Sequence, residues 1–275
     1  MRPVHLQELD AENEYFFDTK THELHFWFNS TLPPPASVVV PALADMIVVK
    51  GTKEAPVHNV TIRGLQFRDN RPTYMEPRTN PSGGDWALER QGAVLLEGCV
   101  GCVIDGNKFH HLDTNAVFLS GYNRDNVISS NEFVWLGQNA IASWGFLDGE
   151  TDSTMTNSGM GGLQPRGTLI IGNWVHEIGH LQKQSSFYFQ AITAETVIRH
   201  NVVFNIPRAG INFNDVSAHP APVRCFRFAF DGAPLRVLVG RASAAATSSS
   251  TTCCSTPAAR APTTAPSIRG TVCPT

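Results

Sequence analysis

The segments VIDGNKF (103–109) and VISSNEF (127–133) can be laid on one another without a gap, and TIRGLQF (61–67), LIIGNWV (169–175) and VIRHNVV (197–203) fall into the same frame. Ile62, Ile104, Ile128, Ile170 and Ile198 hold the second position of each segment. Three residues on stand Leu65, Asn107, Asn131, Asn173 and Asn201, and two residues further Phe67, Phe109, Phe133, Val175 and Val203. Leu112, Leu136, Ile178 and Ile206 continue the register in four of the five copies. One shared Ile is chance; several shared columns make a repeat, and a repeat governs the fold.

Successive Ile residues are 42, 24, 42 and 28 positions apart, which fits a coil of about 24 residues interrupted by two insertions. The insertions read as loops rich in Gly, Pro, Asn, Ser and Thr, at 69–86 and 145–167. Between repeats lies a second short apolar run: AVLL (93–96), NAVFL (115–119), NAIASW (139–144), SSFYF (185–189) and AGINF (209–213). Short β-branched and aromatic runs separated by polar turns, with no room for a crossover helix, predict an all-β right-handed parallel β-helix. The Ile column becomes an interior aliphatic ladder, and the Asn column becomes a ladder of amides, each bonding its neighbours above and below.

Around this core, the repeat is expected to occupy 56–215. Residues 1–55 carry no copy of the coil; EYFFD and ELHFWF around TKTH read as a β-hairpin that, with SVVVPALADMIVV, caps the solenoid. Residues 216–275 are a different material, with 6 Lys+Arg against 1 Asp and four of the six Cys, whereas 1–215 holds 15 against 23. Such a segment has little to bury and is expected to be mostly disordered. A functional tail and a frameshifted or misjoined end both fit so abrupt a break, and the second leaves the solenoid truncated.

The whole-chain charge of −3 lacks the basic footprint of a nucleic-acid binder. The longest apolar stretch, ASVVVPALADMIVV (36–49), is broken by Pro41 and Asp45 and is too short for a membrane span. MRPVHLQELDAEN has neither the basic nor the apolar region of a signal peptide, so the chain is expected to be cytosolic or to start inside a longer one.

GDWALERQGAVLLEG, NAVFLSGYNR, AIASWG, KQSSFYFQA and PRAGINFND resemble right-handed β-helix proteins of the pectin-lyase-like superfamily, near the β-helix glycoside hydrolases of fucosidase and xylanase type. The resemblance spans about residues 5–215. It implies a secreted carbohydrate-active protein that hydrolyses, or cleaves by elimination, the glycosidic bonds of a polysaccharide, with no cofactor. A non-catalytic glycan-binding or structural solenoid, or an inactive fragment, is the alternative from another class.

If Val117, Ile141, Phe187 and Ile211 face inward, Tyr188 and Asn212 face outward, followed by Trp144, Gln190 and Asn214. Aromatic rings beside amides suit sugars, whose C–H faces stack while their hydroxyls pair. The acids near this face are Asp215, Glu177 and Asp113, and coil stacking offers spacings compatible with either stereochemical outcome of glycoside hydrolysis. Asp215 is the first choice for the acid, and Glu177 and His176 are the other catalytic candidates. His176, Lys183 and Arg208 supply the base and the cations that an elimination requires. His176-Glu177-Ile178-Gly179-His180 also spells the zinc-peptidase motif H-E-x-x-H, but that motif works on a helix, and Ile178 here falls in the core column. No metal is therefore expected. Cys99 and Cys102 form a lone C-x-x-C and read as buried core thiols.

Overall fold

The computed structural model describes residues 2–3, 5–12, 14–27, 40–74, 76, 88–147, 161–213 and 236–238. The chain divides into two compact units, Met1–Val40 and Pro41–Thr275. In the first, Glu14–Asp18 pairs antiparallel with Glu23–Phe26, and Arg2–Pro3 adds a parallel strand beside Glu14 and Tyr15.

The second unit is all-β among its described residues and is built from three parallel sheets. The Ile sheet stacks Thr61–Arg63, Val103–Asp105, Val127–Ser129, Leu169–Ile171 and Val197–Arg199, with Ile62, Ile104, Ile128, Ile170 and Ile198 in register. The Phe sheet stacks Gln66–Arg68, Lys108–Leu112, Glu132–Leu136, Trp174–His176, Val202–Phe204 and Arg236–Leu238. The long sheet runs Ile47–Lys50, Val94–Val100, Val117–Arg124, Ile141–Trp144, Tyr188–Ala191 and Ile211–Phe213. The chain visits long, Ile and Phe sheets in that order and returns one coil further on. Ile47–Lys50 already belongs to this stack, pairing with Val94–Glu97. Of residues 216–275 only Arg236–Leu238 is described, as a strand parallel to Val202–Phe204.

The columns of the sequence explain why each coil repeats. All five Ile side chains are at most 7% exposed. Phe67, Phe109 and Phe133 stack face to face at 4.7 and 4.9 Å. Burying each such side chain contributes about 1.5–3 kcal/mol. The bend from Ile sheet to Phe sheet places Gly64, Gly106, Ser130, Gly172 and His200 at positive φ, between 55° and 68°. In the last four coils this single left-handed residue turns the chain so that the next residue, the Asn of the repeat, points inward; in the first, Gly64 is followed by the exposed Leu65. Asn107, Asn131 and Asn173 each donate from Nδ2 to Oδ1 of the next Asn at 2.9–3.1 Å. The backbone N–H of each reaches the same oxygen at 2.9–3.0 Å. The amides thereby satisfy polar backbone that a tight buried bend leaves without sheet partners.

Cys99 and Cys102 are buried and unoxidised. Burial, reinforced by the neighbouring Cys102, pushes the Cys99 thiol up to about 12, which makes it a packing group and not a nucleophile.

Candidate functional site

The expected binding face on the long sheet is a dry one. Its register is Val117, Ile141, Tyr188, Ile211, one residue away from the expected alignment through Phe187. Tyr188 therefore points into the core, wholly buried, with its hydroxyl within 3.1 Å of both Gln190 Oε1 and Thr196 Oγ1. Gln190 follows it inward and donates to the Thr193 carbonyl. The signal for the true register is polar: Ser186 takes the place of Asn115 and Asn139, and its N–H donates to Asn139 Oδ1 at 2.8 Å. Trp144 does leave the sheet outward, but it is buried with Leu88, Phe118 and Phe189. The Arg90 guanidinium lies 4.0 Å above its ring and donates to the Trp144 and Gly145 carbonyls. Tyr188, Gln190 and Trp144 thus offer no surface to a sugar. Asn212 is half-buried on the last strand of the long sheet, and Asn214 and Asp215 lie outside the described residues.

The open aromatic surface lies on the Phe sheet. Near the end of five of its strands, one residue past the strand or on its next-to-last residue, the chain bends through a second column of left-handed residues: Asp69, His111, Trp135, Glu177 and Asn205, with φ between 49° and 56°. Gly, and after it Asn and Asp, tolerate this region; a Trp and a Glu there carry about 1 kcal/mol or more of strain, a frequent mark of functional positions. The bend ends the alternation of the strand, in which neighbours point to opposite faces. Consecutive residues then meet: Arg68 with Asp69 at 2.5 Å, His110 with His111 at 2.9 Å, and His176 with Glu177 at 2.5 Å.

In the coil of residues 174–180 this meeting makes an acid–imidazole pair. Glu177 Oε2 binds His176 Nδ1, and Glu177 Oε1 accepts from Asn205 Nδ2 at 2.6 Å, one coil on. Partial burial alone would raise the Glu177 carboxyl, but the hydrogen bonds from Asn205 and His176 outweigh it and hold the group ionised below its ordinary range. His176 stacks on Phe204 at 4.9 Å, nearly parallel, and meets Trp174 edge-on at 6.3 Å. Trp135 sits between His111 and His180, and both Trp135 and Trp174 remain about half exposed, at 49% and 48%. Lys183 and Arg208 are exposed on the turns that follow, Arg208 three residues beyond Asn205. Asp113 lies two residues past His111, and burial pushes its carboxyl up.

The H-E-x-x-H spelling does not make a zinc site. Strand and left-handed turn replace the helix that would bring His176 and His180 to one face, and His176 Nδ1 is taken by Glu177 while His180 stacks on Trp135. Among the described residues no group of three or more His, Cys, Asp or Glu side chains is arranged to hold a metal ion.

No family model matches the chain, and no curated protein matches it. Among solved structures it is similar to a glycoside hydrolase, with a TM-score of 0.58 at 16% identity. The likeness is one of fold. It covers 75% of this chain, which spans about 40% of the length of that hydrolase.

Proposed function

We propose that the chain is a right-handed parallel β-helix of pectin-lyase-like type that binds a polysaccharide along the outer edge of its Phe sheet and cleaves glycosidic bonds there. Right-handed winding is the hand that parallel crossovers adopt in about 98% of cases. The observation that carries the functional reading is the ionised Glu177 paired with His176 at 2.5 Å, beside Trp174. Exposed indole gives a sugar ring something to stack on, and the pair gives acid–base chemistry at its side. Arg208 and Lys183 at the rim would receive anionic substituents. The fold of the hydrolase to which the chain is similar supports the carbohydrate class.

Incubation of the full chain with fucosylated, xylan and uronate polysaccharides, with separation of the products, tests this reading. Cleavage of one of them is expected, with Trp174→Ala weakening binding about 10-fold, the scale of one lost stacking contact. Binding without any product would move the reading to a glycan-binding solenoid. Absence of both binding and product would overturn it.

A further inference from the structure

We infer that the proton acceptor at this site is His176, through Nε2, and that Glu177 and Asn205 are the positioning residues that hold it; the inference rests on the glycan-cleaving reading of the same site. Both oxygens of Glu177 are already engaged, Oε2 by the imidazole at 2.5 Å and Oε1 by the Asn205 amide at 2.6 Å. A carboxylate so committed is poorly placed to take a further proton or to attack carbon. An ionised carboxylate only accepts hydrogen bonds, so the hydrogen between it and the ring belongs to Nδ1. In the neutral ring the lone pair then sits on Nε2. Among the described residues Nε2 has no hydrogen-bond partner, and the side chain keeps about a fifth of its surface, 21%, open. Phe204 against one face of the ring prevents it from turning away.

The same bend in two earlier coils pairs Arg68 with Asp69 and His110 with His111, so proximity of consecutive residues is a property of the turn. Among the described residues, only the coil of residues 174–180 joins a base to an acid that a third side chain fixes. This is the logic of a carboxylate holding an imidazole in one tautomer. In the step assigned to it, Nε2 takes a proton from a water whose oxygen forms the new bond to the anomeric carbon. The bond from that carbon to the departing sugar oxygen breaks, its electron pair stays on the oxygen, and a proton returns from the imidazolium or from solvent. One water is consumed and nothing is oxidised or reduced.

Nitrogen NMR of labelled protein reads the tautomer whether or not a substrate is known. The neutral ring of His176 is expected as the Nδ1–H tautomer, and a neutral ring carrying its proton on Nε2 instead would overturn the inference. On the polysaccharide that the wild type cleaves, Glu177→Gln is expected to lower kcat about 10²- to 10⁴-fold with little change in KM. Added imidazole is expected to restore activity to His176→Gly and to return the acid limb of its pH profile, which a merely structural histidine would not do. Restoration of Glu177→Gly by formate, with His176→Gly unresponsive to imidazole, would instead make Glu177 the reacting group and overturn the inference. Absence of product from the wild type on every polysaccharide would count against the cleaving function alone, and the NMR result would still decide the arrangement.

Discussion

Trp144 and Trp174 both leave their sheets on the outward side, yet Trp144 is 2% exposed and Trp174 is 48% exposed. The difference lies in what covers each sheet. Over the long sheet, Leu88 and the Arg90 guanidinium close on Trp144, Phe118 and Phe189, and the arginine anchors itself on two carbonyls. Over the Phe sheet, the strands Trp174–His176 and Val202–Phe204 keep their outer side chains partly in solvent. Pointing away from the sheet is set by alternation along the strand; being available to a ligand is set by segments elsewhere in the chain.

Paired substitutions put the largest effect on that contrast. Trp144→Ala empties a packed site and is expected to cost about 3–5 kcal/mol of unfolding free energy. Trp174→Ala, with half its surface already in water, should cost less than about 1 kcal/mol. Denaturant unfolding of both variants measures this directly, and equal losses would mean that the two faces do not differ as described.

A smaller loss is expected in the interior bend that both faces share. Asn131 donates to the Ile104 carbonyl and to Asn173 Oδ1, and its own Oδ1 accepts from the Asn107 amide and backbone. Asn131→Ala leaves those buried partners unpaired, at about 2–4 kcal/mol in total. Asn131→Asp, which can accept but not donate when ionised, should be no better. A variant as stable as wild type would show that the ladder is ornamental, and the coil would then rest on its apolar columns alone.

The contrast also explains what was legible in the chain. Ile62 to Ile198, the Phe stack and the Asn ladder could be read from sequence because each coil repeats the same local problem and solves it with the same residue. Glu177 and His176 could be nominated as neighbours of a site for their chemistry. Their pairing could not, because it depends on a left-handed turn at a non-glycine position. The face assigned to sugar failed for two physical reasons: Tyr188 hides its hydroxyl on Thr196 and Gln190 inside the core, and Arg90 arrives from a segment with no repeat signature. Trp135 and Trp174 were present in the repeats all along, at positions flanking the Phe column. A search for aromatic residues just outside that column would have found them.

The smallest expected effect concerns pH, and it asks how far the openness of the Phe sheet extends. His110 stands on its outer side, two coils before His176, but is only 8% exposed. Burial, followed by the nearby His111, Arg68 and Lys108 and opposed by Asp69, lowers its pKa from 6.5. A histidine held neutral in this way lets the unfolded chain take up the proton first. Stability is therefore intact above about pH 6.5 and declines as the pH falls toward the folded value, by at most about 1.4 kcal/mol per pH unit for one proton. The Glu177 carboxyl, held below 4.5, adds its own loss only in more acid solution, so the interval between pH 6.5 and 4.5 separates the two. Unfolding free energies across that interval should fall less steeply in His110→Gln than in wild type. An unchanged slope would mean that His110 is not desolvated, and that the open surface runs the length of the sheet instead of ending before this coil.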